Sequence, residues 1–301
     1  MSQLSWTIRS LLQWTVSDFV RRGVDTPRLD AELLVAEALG CDRIRLYLDL
    51  DRPLHAEELA RIRGLVERRR TREPVSYILG RKDFWSRTFQ VTKSVLVPRP
   101  DTETLVERAL TVLDSDPFFR DRNREIQVLD LCTGSGIIAV TLAAERDELR
   151  LVASDVSESA LDVARKNARC HGVEKRIQFV CSDLFESIPK ASFDLVTINP
   201  PYIAVDELED LAPEVREFEP RIALEAGVDG LEIMRRFIPQ VSRWLKPGAL
   251  LLMEIGASQW KEVQRLLELP REEGDDLVDI RVHRDLGGRF RVAEARCKPA
   301  P

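Results

Sequence analysis

The chain has little of what would make it a disulfide scaffold, a metal protein or a membrane protein. Its 301 residues hold only five cysteines, at Cys41, Cys132, Cys170, Cys181 and Cys297. The number is odd and no C-x-x-C pair occurs, which argues against a disulfide framework and a zinc ribbon. The three histidines, His55, His171 and His283, are too dispersed for a metal cluster. No run approaches the ~18 apolar residues of a membrane span. The N-terminal stretch MSQLSWTIRSLLQWT lacks the apolar centre of a secretory signal, so the expected setting is the cytoplasm. Positive charge is not in excess either: 45 Lys and Arg against 51 Asp and Glu leave a net charge of −6. A protein that coats nucleic acid through its overall charge is therefore not expected, and stable nucleic-acid binding is not either.

What remains is an ordinary globular balance, 44% hydrophobic and 32% charged, in a chain long enough for about two domains of ~150 residues each. The first part reads as helical. Ile8, Leu11, Leu12, Val16, Phe19 and Val20 fall at helical spacing, with Ser5 as an expected cap and Gly23 as a stop. Pro27 suits a first helical position, and Leu29, Leu33, Ala36 and Leu39 run on to Gly40. A third helix carries Leu59, Ile62, Leu65 and Val66 and ends in Arg61, Arg63, Arg68, Arg69, Arg70 and Arg72. That cluster reads either as a contact for RNA or an acidic partner, or as a solvated helix end where the dipole favours cations. Residues 1–75 are expected to form a helical bundle, and residues 76–97 a β-hairpin linker, from the alternation in RKDFWSRTFQVTKSVLV.

From residue 126 strands and helices alternate. Strands are expected at Ile126–Leu131, Leu149–Ser154, Ile177–Val180, Phe193–Ile198 and Leu250–Ile255, and helices at Ile137–Ala144, Ala160–Cys170 and Leu231–Leu245, the last kinked at Pro239. Such alternation implies a mostly parallel sheet covered on both faces, whose ligands bind outside the C-terminal strand ends. The suggestive residues lie at those ends.

After the first of these strands come Cys132, Thr133, Gly134, Ser135 and Gly136, directly before a helix. The glycines allow a tight turn and a close backbone approach to a ligand. With Ala139 the run also fits the relaxed dinucleotide fingerprint, and no P-loop lysine is present. Asp155 follows the second strand, where a carboxylate suits two ribose hydroxyls or caps the next helix. Asp183 and Leu184 follow the third, with the carboxylate placed for an exocyclic amine and Leu184 and Phe185 for an adenine face. The fourth strand ends in Asn199-Pro200-Pro201-Tyr202. Two prolines force the backbone out of the ladder and leave the Asn199 side-chain oxygen and the Pro200 carbonyl as fixed acceptors. That pair suits an –NH2 group, with Tyr202 against the planar group bearing it. Hydride transfer has no use for such a pair, which disfavours a dinucleotide.

These motifs, with FWSRTFQVTKSVLVPRPDTETLVE, DLCTGSGIIAVTLA, LAPEVREFEPRIALEAGVDGLEIMRRFI and DLGGRFRV, resemble the class I S-adenosylmethionine-dependent methyltransferases. Within them the chain is most similar to the protein-(glutamine-N5) methyltransferase family, in the branch acting on the Gly-Gly-Gln glutamine of class-1 peptide chain release factors. The resemblance implies an α/β fold: a Rossmann-like class I methyltransferase sheet, mostly parallel with an antiparallel last strand, over residues 98–301, behind a helical substrate-docking domain. It implies S-adenosyl-L-methionine as cofactor, with residues 132–136 at its methionine moiety, Asp155 at the ribose, and Asp183 and Leu184 at the adenine. Asn199, Pro200, Pro201 and Tyr202 would bind the substrate amide, Asn199 also bordering the cofactor and Asn199, Pro200 and Tyr202 carrying the catalysis. Pro98–Glu103 would close over the cofactor, with Arg99 or Glu103 assisting. Cys132 stands where many methyltransferases have glycine, so a negative φ or a tolerant pocket is expected there. A monomer is expected. Glutamine methylation on a ribosomal protein and N6-adenine methylation of nucleic acid are the alternative activities.

Overall fold

A short run of strongly amphipathic sequence opens the described chain. The computed structural model describes residues 6–119, 124–270 and 276–299, and these group into two units, one of the described residues up to 81 with 212–218, the other of those from 82–211 with 219–299.

The first unit is helical. Helix α1 (Ile8–Arg21) buries Ile8, Leu11 and Phe19. Its cap is Thr7, whose hydroxyl accepts from the Ser10 N–H at 3.2 Å; Ser5 lies outside the described residues. Helix α2 (Pro27–Leu39) starts on proline and stops at Gly40 in the left-handed region, as its sequence dictates. The sequence reading missed α3 (Arg43–Leu48), because RIRLYL alternates like a strand. It is a helix because Asp42 caps it, accepting from the Arg45 N–H at 2.8 Å. Helix α4 (Ala56–Arg70) follows, then α5 (Val75–Leu79). That last helix corrects the expected start of the hairpin: residues 76–79 are helical. The two-stranded hairpin itself is β1 (Arg81–Phe84) and β2 (Arg87–Gln90), and 91–97 is not strand. Its turn places both Trp85 (φ 50°) and Ser86 (φ 55°) in the left-handed region, the twist that a two-residue hairpin loop requires.

The basic run at the end of α4 divides: Arg61, Arg63 and Arg68 are exposed, as a solvated helix end would be, while Arg69 is buried. Arg69 is 4% exposed and donates to Asp30 at 2.7 Å and to Glu214 at 2.8 Å. Arg72 donates to the other oxygen of Glu214 at 2.6 Å and to the carbonyls of Arg22 and Gly23. Arg68 pairs with Glu73, Arg70 with Asp18, and Arg61 reaches the Ala38 carbonyl. These cations tie segments of the unit together, Arg69 from inside and the others from its surface. Burial pushes the Glu214 carboxyl up, but hydrogen bonds from Arg72 and Arg69 bring it below its ordinary value.

The second unit carries α6 (Glu103–Ser115), β3 (Ile126–Leu131), α7 (Ile137–Glu145), β4 (Leu149–Asp155), α8 (Glu158–Cys170), β5 (Ile177–Cys181) and β6 (Phe193–Ile198). After α9 (Pro213–Phe218), which belongs to the first unit, come α10 (Glu232–Val241), β7 (Leu245–Glu254), α11 (Trp260–Glu268), β8 (Leu277–Arg284) and β9 (Phe290–Cys297). The helix expected to run to Leu245 ends at Val241 with Pro239 inside it, and β7 begins at Leu245 rather than Leu250.

The seven strands lie in the order β5-β4-β3-β6-β7-β9-β8. All neighbours are parallel except β9, which runs antiparallel between β7 and β8. This is the α/β class expected, a mostly parallel sheet with the last strand reversed. β3 and β6 at its centre are buried along almost their whole length, as strands covered on both faces must be. One apolar layer gathers Leu105, Val128, Ile138 and Leu195, the other Leu129, Val196, Phe237 and Met253. No described helix is long and apolar enough to cross a membrane.

Candidate active site

The strand order decides which loops meet. β5, β4, β3 and β6 are consecutive neighbours and parallel, so the segments leaving their C-terminal ends lie side by side. Leu131 and Ile198 are register partners. Cys132 and Asn199 therefore leave adjacent strands at the same level.

The loop after β3 is held in an unusual backbone path. Cys132 adopts φ 55°, Gly134 φ 55° and Gly136 φ 80°. For Cys132 this answers the expectation of negative φ: the chain takes the left-handed form at a cost of roughly 1 kcal/mol. The two glycines serve different ends. A Cβ on Gly136 would meet Ala164 Cβ at 3.0 Å, so that glycine lets α8 pack against the start of α7. A Cβ on Gly134 would meet nothing within 4 Å, so that glycine faces open space. Thr133 and Ser135 are buried, and the Ser135 carbonyl accepts from Asn167 at 2.8 Å. Asn167 also bonds both backbone groups of Gln90, tying the loop to the hairpin.

Asp155 closes the other side of this loop. One carboxylate oxygen accepts from the Gly134 N–H at 2.9 Å, the other from the Ser157 N–H at 3.0 Å. Burial raises its pKa, and the N–H groups of Ser157, Gly134 and Val156 oppose the rise. The cap of α8 is Ser157 and not Asp155. Each Asp155 oxygen keeps lone pairs beyond these bonds.

Asp183 and Leu184 come next along the sheet edge. Asp183 accepts from Arg236 at 2.7 Å. Leu184 sits at φ 48°, like Cys132 a non-glycine residue in the left-handed region. A cavity of about 190 Å³ opens here, lined by Asp183, Leu184, Arg236, Gln240 and Trp244 among others. Phe185 lines the same cavity, and its ring stacks on Phe237 at 5.5 Å and on Trp244 at 5.2 Å.

Asn199 donates from Nδ2 to the Thr102 hydroxyl at 3.4 Å, which leaves its Oδ1 unengaged by that contact. After Pro200 and Pro201 the chain is clamped. Gln259 donates to the Tyr202 carbonyl at 2.8 Å and to the Gly230 carbonyl at 3.2 Å. A Cβ on Gly230 would meet the Tyr202 carbonyl oxygen at 2.4 Å, so only glycine fits beside this turn. Burial lifts the Tyr202 hydroxyl to about 12, with the nearby Glu254 carboxylate adding to the rise, and the phenol stays neutral.

The Pro98–Glu103 segment divides its duties. Arg99 pairs with Glu219 at 2.6 Å, and the same carboxylate accepts from the Val97 N–H at 3.1 Å. Glu103 accepts from the Trp85 N–H at 3.0 Å and so serves the hairpin. Three buried groups went unread in the sequence: Asp130, Asn167 and Glu254. For Glu254 the signal was present, since a lone carboxylate ends the apolar run LLLM.

The geometry fits a nucleoside-bearing cofactor: open space before Gly134, a carboxylate at the second strand end, and a cavity at the third. Among the described residues no group of three or more His, Cys, Asp or Glu is arranged to hold a metal. A family model described as the PrmC N-terminal domain matches residues 10–80, and one described as the methyltransferase small domain matches residues 112–214. The release factor glutamine methyltransferase of Geobacter sulfurreducens is 45% identical over 258 residues, 86% of this chain and 87% of that one. That of Cereibacter sphaeroides is 42% identical over 96% of this chain and 98% of its own length. Among solved structures, the hMettl16 catalytic domain in complex with MAT2A 3'UTR hairpin 6 matches with a TM-score of 0.51 at 16% identity, over 71% of this chain and 76% of that one. That likeness speaks to the fold alone.

Proposed function

The chain belongs to the release factor glutamine methyltransferase family, and from that we propose that it transfers a methyl group to the side-chain amide nitrogen of the Gly-Gly-Gln glutamine in class-1 peptide chain release factors. It is an S-adenosylmethionine-dependent protein-glutamine methyltransferase. The observation that carries the site assignment is the shared register of Leu131 and Ile198. It sets the glycine loop and the Asn-Pro-Pro-Tyr turn next to one another on adjacent parallel strands.

When bound, the cofactor supplies an electrophilic methyl on a sulfonium, already activated without a metal. Residues 132–136 would hold its methionine end, Asp155 its ribose, and Asp183 with Leu184 its adenine. An amide nitrogen is a poor nucleophile because its lone pair is delocalised into the carbonyl. Asn199 Oδ1 and the Pro200 carbonyl would accept its two hydrogens and favour a pyramidal nitrogen with the lone pair free. Tyr202 would pack against the amide plane. The work of these residues is orientation and electrostatics.

We assign the helical unit the docking of the factor. Ile44, Tyr47 and Leu48 on α3 are exposed and supply an apolar surface for it. The engagement of Arg61, Arg68, Arg69, Arg70 and Arg72 within that unit supports a protein partner over a nucleic acid. A monomer acting in the cytoplasm completes the proposal.

The test is methyl transfer from labelled S-adenosylmethionine to a purified class-1 release factor, with the site located by peptide mass spectrometry. One methyl on the Gly-Gly-Gln glutamine, absent from a Gly-Gly-Ala factor, is expected. Transfer to a ribosomal-protein glutamine or to adenine instead, with none to the factor, would overturn the substrate.

A further inference from the structure

A side-chain amide offers two hydrogens on its nitrogen and an oxygen that accepts. Gln259 has all of these engaged, and none of them on its own helix. It occupies the cap position of α11, yet its side chain makes no capping bond there. Ser, Thr, Asp and Asn favour that position because their short side chains reach back to the helix N–H groups. The longer glutamine reaches outward. Its Nε2 donates to the Tyr202 carbonyl at 2.8 Å and to the Gly230 carbonyl at 3.2 Å, and its Oε1 accepts from the Gly256 N–H at 3.1 Å. One side chain thus joins the turn after β6, the turn before α10 and the turn after β7. A flipped amide would set an oxygen against two carbonyls and an NH2 against an N–H, so its orientation is fixed.

Two glycines clear the space that this side chain fills. A Cβ on Gly256 would meet Gln259 Oε1 at 2.6 Å, and a Cβ on Gly230 would meet Gln259 Nε2 at 2.6 Å. Gly230 sits at φ 71°, where glycine is favoured in any case. Gly256 lies outside the left-handed region, so its backbone does not call for glycine. The side chain of Gln259 does.

The Asn-Pro-Pro-Tyr segment is stiff inside. Each proline locks its own φ and holds the residue before it extended. The segment therefore moves as a body, and its placing depends on how its ends are tied. At one end Ile198 lies in the ladder, opposite Leu131 and Met253. At the other end the peptide between Tyr202 and Ile203 is held by both of its polar groups. Its carbonyl accepts from Gln259, and its N–H donates to the Leu224 carbonyl at 2.9 Å. A peptide group is planar, so two such bonds fix its plane.

We propose that Gln259 is a positioning residue for methyl transfer: by pinning the Tyr202 carbonyl it sets where Asn199 Oδ1 and the Pro200 carbonyl stand to receive the substrate amide. It acts through the turn, by geometry alone.

This inference rests on the function proposed above, and two readouts separate their fates. Both compare the wild type with Gln259→Glu, Gly256→Ala and the double variant. Gln259→Glu keeps an acceptor for the Gly256 N–H and removes both donated bonds. Gly256→Ala leaves Gln259 in place in the sequence but puts a methyl where its Oε1 lies, and the flexible end of that side chain must move away.

The first readout is turnover on the release factor. Each single variant is expected to lose about 10- to 100-fold in kcat, with S-adenosylhomocysteine affinity held within about twofold. The double variant is expected to fall no further than Gln259→Glu, because both changes break the same bonds. Wild-type kcat in both single variants would overturn the proposal. So would losses that multiply in the double variant, or a loss of cofactor affinity as large as the loss in kcat, which marks a loosened fold. The second readout needs no activity. Tyrosine labelled with ¹³C at the carbonyl gives three signals, one for each tyrosine of the chain, and that of Tyr202 is assigned by its loss in Tyr202→Phe. It is expected to move upfield in both single variants, as a carbonyl does on losing a donor, while those of Tyr47 and Tyr77 stay in place. A wild-type protein that methylates no release factor overturns the function, and this signal alone then decides: movement in both variants upholds the pinning of the turn, and no movement in either overturns it.

Discussion

Asp130 and Thr197 join two strands at the point where the loops leave them. The Thr197 hydroxyl on β6 donates to Asp130 Oδ1 on β3 at 2.7 Å, and the other carboxylate oxygen accepts from Thr133 at 2.6 Å. Asp130 is fully buried. One carboxylate thus braces the glycine loop against the strand that delivers Asn199.

Burial lifts the Asp130 carboxyl to about 6, against the pull of the Thr133 and Thr197 hydroxyls and the Ala139 N–H. The ordinary value is about 3.9. Between the two, the folded chain holds a proton that the unfolded chain has lost. The group's stabilisation is full below ~4 and disappears as pH rises through about 6. Asp130→Asn should remove that slope. Urea unfolding of both proteins across this range measures it, and a difference between them that ignores pH would mean that the carboxyl stays ionised throughout.

Glu294 should show the opposite slope. Burial works upward on it, but hydrogen bonds from His283 and Arg108 bring it down to about 2. Its stabilisation is present above its ordinary ~4.3 and is lost as pH falls through about 2. Glu294→Gln should therefore narrow the gap between stability at neutral and at acid pH. Equal acid sensitivity in variant and wild type would remove Glu294 from that role.

Asn199→Ala should cut turnover by about 100- to 1000-fold, the loss typical of one preorganised polar group, with cofactor affinity intact. Asp155→Ala should do the reverse, weakening S-adenosylhomocysteine by about 10- to 100-fold through the loss of charge-assisted bonds. Titration calorimetry beside steady-state kinetics separates the two. Interchanged effects would refute the assignment of both residues.

Asp30→Ala should strand Arg69 in the helical unit. Removing one partner of a buried ion pair costs about 3–5 kcal/mol. The exposed Arg9–Asp51 pair is the control, and Arg9→Ala should leave the unfolding midpoint where it is. Equal midpoints for the two variants would mean that Glu214 alone satisfies Arg69.

Much of the second unit was legible because its information is local. Apolar runs of strand length end in Gly, Asp or Asn-Pro-Pro, and a parallel sheet collects those ends on one edge. Asn199 and the 132–136 loop came together for that reason. What stayed hidden depends on distant partners. The basic run of α4 looked like a surface because Asp18, Asp30 and Glu214 are remote in the chain. The stacking of Phe185 on Phe237 and Trp244 was hidden for the same reason. Helix α3 was missed because its apolar pattern has the period of a strand, and a single cap at Asp42 overrules it.

The bond from Arg69 to Glu214 spans 145 positions of chain. At a synthesis rate of ~5–20 residues per second, Glu214 leaves the ribosome about 7–30 s after Arg69. During that interval the nascent helical unit has Asp30 and the Glu73 carbonyl for Arg69, while Arg69 Nη2 and Arg72 Nη2 still wait for Glu214. The unit's last ion pairs thus form only once the strand that ends in Asn-Pro-Pro-Tyr has also been made. Translation itself orders the assembly: the helical unit is completed after the central strands of the sheet exist, although it is encoded first.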